Sequence, residues 1–373
     1  MRKNILILSH NDATQFVDIC NQYTQIFDKS QFKVTVAYLS GAPSEETRQR
    51  TTAEEVIFLN CSKKSISGLK LSAIKKLTKL CRERNFSIAI GHRYKACYVL
   101  LWAAKACNIP AVFFVMHAMN TMKNLGRKIL FACFALKNMY FAGVSNAVRD
   151  DIQRDVWGIP KERVITLYNC IDTEFTEAEL LDKASARKFL GLPQDAFVFG
   201  TIGRLAPDKD QKTLISAFAQ IQPSLPNAKL VIMGDGALES DLKQQIQTLN
   251  LADQVILSGF VPQAFRYIKA LDIFTLPSTV EPFGRVLIEA MTAKVPLIAT
   301  RVDGIPEVVG DSGIIVDPGK PDQLASAMLD LATKKPQELI SQGDNGYERV
   351  MTYFSLECFQ KAFFSIPVVK NLA

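Results

Sequence analysis

Six short apolar runs constrain the second half of this chain: Val198–Ile202, Leu230–Met233, Val255–Leu257, Ile273–Leu276, Leu297–Ala299 and Ile314–Val316. Each is too short for a helix and is apolar at nearly consecutive positions rather than alternate ones. Strands of a parallel sheet read this way, because helices cover both of its faces. Longer helical patterns separate the runs, as parallel crossovers require. The first half repeats the rhythm with Ile5–Leu8, Val34–Tyr38, Ile88–Ile90, Val112–Val115 and Phe141–Val144. The fold class is therefore α/β, with two Rossmann-like domains facing across a cleft. The rhythm breaks near Asp172–Gln194, where acidic residues and Gly191-Leu192-Pro193 intervene. We expect a first domain over 1–175 and a second over 185–354.

Other classes fall away on composition. The longest apolar runs, Ala96–Ala104 and Ile129–Leu136, fall well short of the ~20 residues of a spanning helix. The apolar start, Ile5–Leu8, is shorter than the ~7–15 residues of a signal-peptide core and reads as a first strand. Eight cysteines without a CxxC pair suggest reduced thiols in a cytoplasmic protein. Three histidines without HExxH spacing give no reason to expect a protein-held metal or another cofactor.

Open parallel sheets bind ligands beyond the carboxyl ends of their strands, so chemistry is sought there. After Val198–Ile202 come Gly203, Arg204 and Lys209. A tight turn with a guanidinium fork and an ammonium suits a diphosphate, though two solvated cations on an ordinary loop would look the same. Glu281-Pro282-Phe283-Gly284-Arg285-Val286 leads into a helical pattern that carries Glu289. A helix start there presents N–H groups to an anion, flanked by two carboxylates able to take sugar hydroxyls. Plain helix-start acids are the alternative. Asp303-Gly304-Ile305-Pro306-Glu307 and Gly234-Asp235-Gly236 are further strand-end turns. In the first half His117 ends the run Ala111–Met116, where it either meets a sugar hydroxyl or serves as a structural donor.

Together these residues resemble the retaining glycosyltransferases of family 4, which have the GT-B fold and include bacterial lipopolysaccharide-core enzymes. The likeness spans nearly the whole chain and rests on Glu281…Glu289, on Gly203-Arg204-Leu205 with Lys209, and on Ile305-Pro306-Glu307. It implies that Arg204 and Lys209 hold the donor diphosphate and that Glu289 binds the ribose. Glu281 would touch the transferred sugar, and N–H groups over Phe283, Gly284, Arg285 and Val286 would cap phosphate oxygens. Gly234 would join the donor site, Gly259 and Val261 would meet the base, and His117 matches the active-site histidine. A C-terminal helix over about 355–373 would pack back on the first domain. The sequence departs from the family pattern at His10-Asn11-Asp12-Ala13, where a glycine-rich loop is usual, and at Ala118, Cys170, Leu356 and Asp303.

Charge is divided unevenly. Residues 1–175 hold 25 basic and 14 acidic residues, a balance of +11, and the remainder holds 19 and 23, a balance of −4. Between Cys61 and Lys137 there are 15 basic residues and one acid, Glu83. Lys70, Lys75, Lys76 and Lys79 lie on one helical pattern, Leu69–Arg84, and Lys123, Arg127 and Lys128 on another, Met122–Asn138. Each reads either as a core-facing helix with a solvated face or as a surface for an anionic bilayer or glycolipid. The expected activity is retaining, metal-independent transfer of a hexose from a UDP-sugar, or a GDP-sugar, to a lipopolysaccharide-core or other anionic glycolipid. The expected place is the inner face of the cytoplasmic membrane. Two other readings remain at this stage: a nucleotide-sugar epimerase on the same scaffold, and a nucleic-acid-binding protein. The second is disfavoured, since the basic half carries no nucleic-acid motif.

Overall fold

The computed structural model describes residues 2–372. The chain divides into two compact units, one of residues 1–169 and 356–373, the other of residues 170–355.

The first unit holds a seven-stranded parallel sheet: β1 (Lys3–Ser9), β2 (Phe32–Tyr38), β3 (Glu55–Phe58), β4 (Phe86–His92), β5 (Ala111–Met116), β6 (Met139–Gly143) and β7 (Val164–Thr166). Their order is β3-β2-β1-β4-β5-β6-β7, so the winding reverses between β1 and β4. Ile5–Leu8 and Ala111–Met116 are fully buried, as central strands covered on both faces must be. The run expected over Phe141–Val144 lies one to two residues later than β6. Strands β3 and β7 escape the sequence reading. Both are short and at sheet edges; β3 is half-buried and its apolar run Val56–Leu59 comes directly after Glu54 and Glu55, while β7 has only Val164 and Ile165 before Thr166. The last helix of substance, Leu356–Ser365, sets Phe359 against Tyr23 and Phe363 against Phe27 and Phe113, with ring centroids 4.8, 5.6 and 5.2 Å apart.

The second unit holds β8 (Val198–Ile202), β9 (Lys229–Met233), β10 (Val255–Gly259), β11 (Ile273–Leu276), β12 (Leu297–Thr300) and β13 (Ile314–Val316). All pairings are parallel, in the order β10-β9-β8-β11-β12-β13, reversing between β8 and β11. Phe199, Leu214, Phe218, Ile232 and Met328 centre one face of its core. Residues 172–194 are ordered rather than an extended connection. Asp172 and Asp182 cap the helices Thr173–Glu179 and Lys183–Leu190, accepting from Phe175 N–H (3.0 Å) and Ser185 N–H (2.9 Å). Arg187, 2% exposed, anchors the second helix through Asp272 at 2.7 Å.

Candidate functional site

In the second unit, the loops after β8, β9, β10, β11 and β12 are tied to one another. Gly203 N–H donates to Met233 C=O (3.0 Å), Leu205 N–H to Asp235 C=O (2.7 Å), and Gly234 N–H to Gly259 C=O (2.9 Å). This brings Gly203, Gly234 and Gly259 together. A Cβ on Gly234 would stand 2.0 Å from the Gly203 oxygen, and its φ is +151°, so only glycine fits that crossing. After β10, Val261 is buried while Phe260 is 70% exposed, its ring free of the core.

The loop after β11 carries the carboxylate. Glu281 and Lys209, 72 residues apart, meet as an ion pair between Oε2 and Nζ, with side chains 12% and 22% exposed. The loop after β12 holds both polar groups of the Glu281 backbone. Its N–H donates to Asp303 Oδ2 (2.8 Å), and its carbonyl accepts from Gly304 N–H (3.1 Å). Asp303 thus has a defined task at a position where the sequence departs from the family pattern. Thr279 N–H donates to Asp208 C=O (2.9 Å), tying the β11 loop to the turn that presents Lys209.

Gly284, at φ +85°, caps the helix Arg285–Thr292, with Phe283 buried in front of it against Phe354. The first-turn N–H groups, at Arg285 and Val286, have no acceptor within the helix and mark its positive end. Glu289 lies on this helix, half-buried. Arg204 points elsewhere: its guanidinium is mostly exposed and 3.5 Å from Asp208. The structure therefore joins Lys209 with Glu281 and leaves Arg204 outside that pair.

In the first unit His117 follows β5, half-exposed, with its Nε2 3.1 Å from Nδ1 of the buried His92 at the end of β4. The loop beyond it is pinned where Asn120 N–H donates to the buried Asp151 (2.7 Å). The loop after β1 lines a polar cavity of about 340 Å³ with Asn11, Asp12 and Thr14, closed by Ser44, Thr47 and Arg50. Sequence reading singled out neither His92 nor this cavity. The signal available for His92 was its place two residues after the apolar run Ile88–Ile90, at a strand's carboxyl end.

The two basic segments form shorter helices than their patterns suggest, Leu71–Arg84 and Leu125–Phe134. Lys70 stands over the Tyr98 ring (4.4 Å) and Arg127 over Tyr94 (3.8 Å), and those two rings are 6.2 Å apart. This chain of contacts joins both segments into one surface. Burial, then the charges of Lys95 and Arg127, push the Lys70 pKa down. Lys76 caps the carbonyls of Leu59 and Asn60 (2.7 and 3.0 Å), and Lys128 pairs with Asp155 at 2.8 Å. Lys75, Lys79 and Lys123 are exposed, Lys79 lying 3.9 Å from Glu83. Leu69, Leu71, Leu125 and Ile129 are exposed as well.

Among the described residues, no three His, Cys, Asp or Glu side chains gather as a metal site would need. No described helix is long and apolar enough to cross a membrane.

Comparison with known proteins matches residues 182–349 to the model for glycosyl transferases group 1, and residues 23–175 to that for Glycosyltransferase Family 4. The chain is 28% identical over 281 residues to a Campylobacter jejuni protein, covering 70% of this chain and 73% of that one. That relative is N-acetylgalactosamine-N,N'-diacetylbacillosaminyl-diphospho-undecaprenol 4-alpha-N-acetylgalactosaminyltransferase. It is 26% identical over 292 residues, 75% of each chain, to the UDP-Gal:alpha-D-GlcNAc-diphosphoundecaprenol alpha-1,3-galactosyltransferase of Escherichia coli. Anabaena HepE, solved in complex with UDP, shares the fold with a TM-score of 0.78 at 22% identity, over 97% of this chain and 98% of that one.

Proposed function

The chain is a family 4-like glycosyltransferase of the GT-B fold, and from that premise we propose that it transfers a hexose from a UDP-sugar to an anionic glycolipid, with retention and without a metal. The observation that carries the donor half is the Lys209–Glu281 pair beside the Gly284-capped helix start. Departure of the nucleotide puts negative charge on a diphosphate and positive charge on the anomeric carbon. Lys209, with Arg204 swung in from solvent, and the N–H groups of Arg285 and Val286 would stabilise the first charge. Glu281 would accept a sugar hydroxyl, and Glu289 would take the ribose. Gly259 and Val261 would border the base. These cations and dipoles supply the charge that a metal supplies in other designs. The leaving phosphate oxygen would take the acceptor hydroxyl's proton on the same face, as retention requires.

UDP is favoured over GDP by the donor in the Escherichia coli relative's name and by the UDP bound to Anabaena HepE. Both relatives' names specify an undecaprenol-linked diphosphate saccharide, which narrows the anionic glycolipid of the sequence reading. The joined basic surface suits such an acceptor at the inner face of the cytoplasmic membrane. Exposed Leu69, Leu71, Leu125 and Ile129 would enter the headgroup region while Lys75 and Lys123 meet anionic lipid.

The test is a donor screen reading released UDP or GDP, with and without diphosphoundecaprenol-linked saccharide, and with and without EDTA. Acceptor-dependent, EDTA-insensitive UDP release with a retained anomeric configuration is expected. Acceptor-free isomerisation of the nucleotide sugar would replace transfer with epimerisation.

A further inference from the structure

All three histidines of the chain lie at or just after the ends of strands that are neighbours in the first sheet: His10 after β1, His92 at the end of β4, His117 after β5. The family resemblance matches His117 to the active-site histidine and gives His92 no task. Yet His92 is wholly enclosed, with Tyr23 edge-on against its ring at 4.7 Å between centroids. Its Nδ1 is directed at Nε2 of His117, 3.1 Å away.

A hydrogen bond between two imidazoles needs one N–H and one lone pair. Burial, helped by the adjacent Arg93 charge, pushes the His92 pKa down to about 3, so its ring holds a single proton near neutrality. A proton on His92 Nε2 would be a buried N–H with no acceptor among the described residues. A proton on Nδ1 leaves only an unmet lone pair at Nε2, and orphaned buried donors are the rarer arrangement. The Nδ1–H then donates to Nε2 of His117, whose own proton must sit on its Nδ1.

We propose that His92 is a positioning residue that fixes His117 as the neutral Nδ1–H tautomer, making His117 a hydrogen-bond donor rather than a base toward its ligand. A hydroxyl or phosphate oxygen of the sugar nucleotide is the chemistry such a donor takes. The consequence for transfer rests on the reading given under the proposed function; the tautomer itself does not.

Imidazole 15N NMR on the full-length chain tests this, since three histidines give a spectrum simple enough to assign by single substitutions. At pH 7, His117 should show a pyridine-like Nε2 and a protonated Nδ1. His92→Leu should release His117 to the Nε2–H form, and His92→Asn, whose amide N–H falls near the lost donor, should restore the wild-type pattern. In turnover, His92→Leu should lower kcat about tenfold or more with donor KM within about twofold, and His92→Asn should recover most of it. A protonated His117 Nε2 in the wild type overturns the proposal, as does an unchanged His117 spectrum in His92→Leu. If His92→Leu does not fold, the wild-type and His92→Asn spectra make the same decision. Should the tautomer be as stated while His117→Ala transfers at the wild-type rate, the positioning stands and the assignment of His117 to the reaction falls.

Discussion

Replacing Glu281 with glutamine separates two tasks that its contact with Lys209 combines. With both groups charged, the contact is a charge-assisted hydrogen bond, worth about 1.5–3 kcal/mol net against about 0.5–1.5 for a neutral acceptor. Side-chain exposures of 22% and 12% mean that solvent screens the pair less than it would a surface pair. A diphosphate drawn to Lys209 must share or displace that contact. Glu281→Gln weakens the competitor by about 1 kcal/mol, so UDP should bind about fivefold more tightly. Transfer should nonetheless slow, because the carboxylate facing the sugar is gone. Lys209→Ala should act in the opposite direction on binding and lower turnover by ~10²-fold or more, as loss of a charge stabiliser does. Calorimetric titration of UDP into the wild type, both single variants and the double variant, beside UDP release from the sugar nucleotide, measures each term. In the double variant the tightening should vanish, since nothing remains for Glu281 to compete over. The reasoning is refuted if Glu281→Gln weakens UDP in step with Lys209→Ala, or if the tightening survives without Lys209.

Gly234→Ala must push a Cβ into a space 2.0 Å from the Gly203 oxygen at φ +151°; a loss of about 3 kcal/mol or more from the second unit is expected, read by far-UV circular dichroism during denaturation. Leu125→Ser with Ile129→Ser should reduce binding to anionic vesicles at least tenfold, since burying each side chain is worth about 1.5–3 kcal/mol when complete. Trp157, exposed and with Lys128 5.7 Å from its ring, reports that binding by a blue shift; unaltered vesicle affinity in the double serine variant would remove the apolar face from the proposal. Because burial holds the folded His92 pKa below its unfolded value of 6.5, the unfolded chain binds the extra proton first as pH falls. The stability so contributed is complete above about 6.5 and should be lost at about 1.4 kcal/mol per pH unit down toward 3. Both tryptophans, Trp102 and Trp157, lie in the first unit, so their fluorescence in urea titrations isolates that slope. It should flatten in His92→Asn.

All six apolar runs of the second half coincide with β8 to β13. The inner strands β9, β8, β11 and β12 are covered on both faces and apolar almost throughout, and the half-buried edge strands β10 and β13 still carry consecutive apolar residues. The edge strands β3 and β7 of the first sheet escape the sequence reading: Val56–Leu59 is an apolar run that follows two acidic residues at a half-buried edge, and β7 offers only Val164 and Ile165 before Thr166. The helix pattern Met122–Asn138 overshoots Leu125–Phe134 because apolar Met122 and Leu136 belong to the segments before and after the helix. Asp172 and Asp182, which interrupt the strand rhythm, are helix caps.

Local chemistry is written in the order of residues: glycine where the chain must turn with positive φ, cations after β8, a carboxylate before a helix start. The sequence by itself therefore determined the fold class, the strand ends where ligands gather and the kinds of group present there. Which groups meet was decided only by the tertiary structure. Lys209 and Glu281 are 72 residues apart, and they touch because the winding reverses between β8 and β11, making those strands neighbours. His92 and His117 pair because β4 and β5 adjoin, and Arg204 stays with Asp208 because its turn directs it there. Such pairings depend on strand order, a property of the packed sheet that no local pattern encodes.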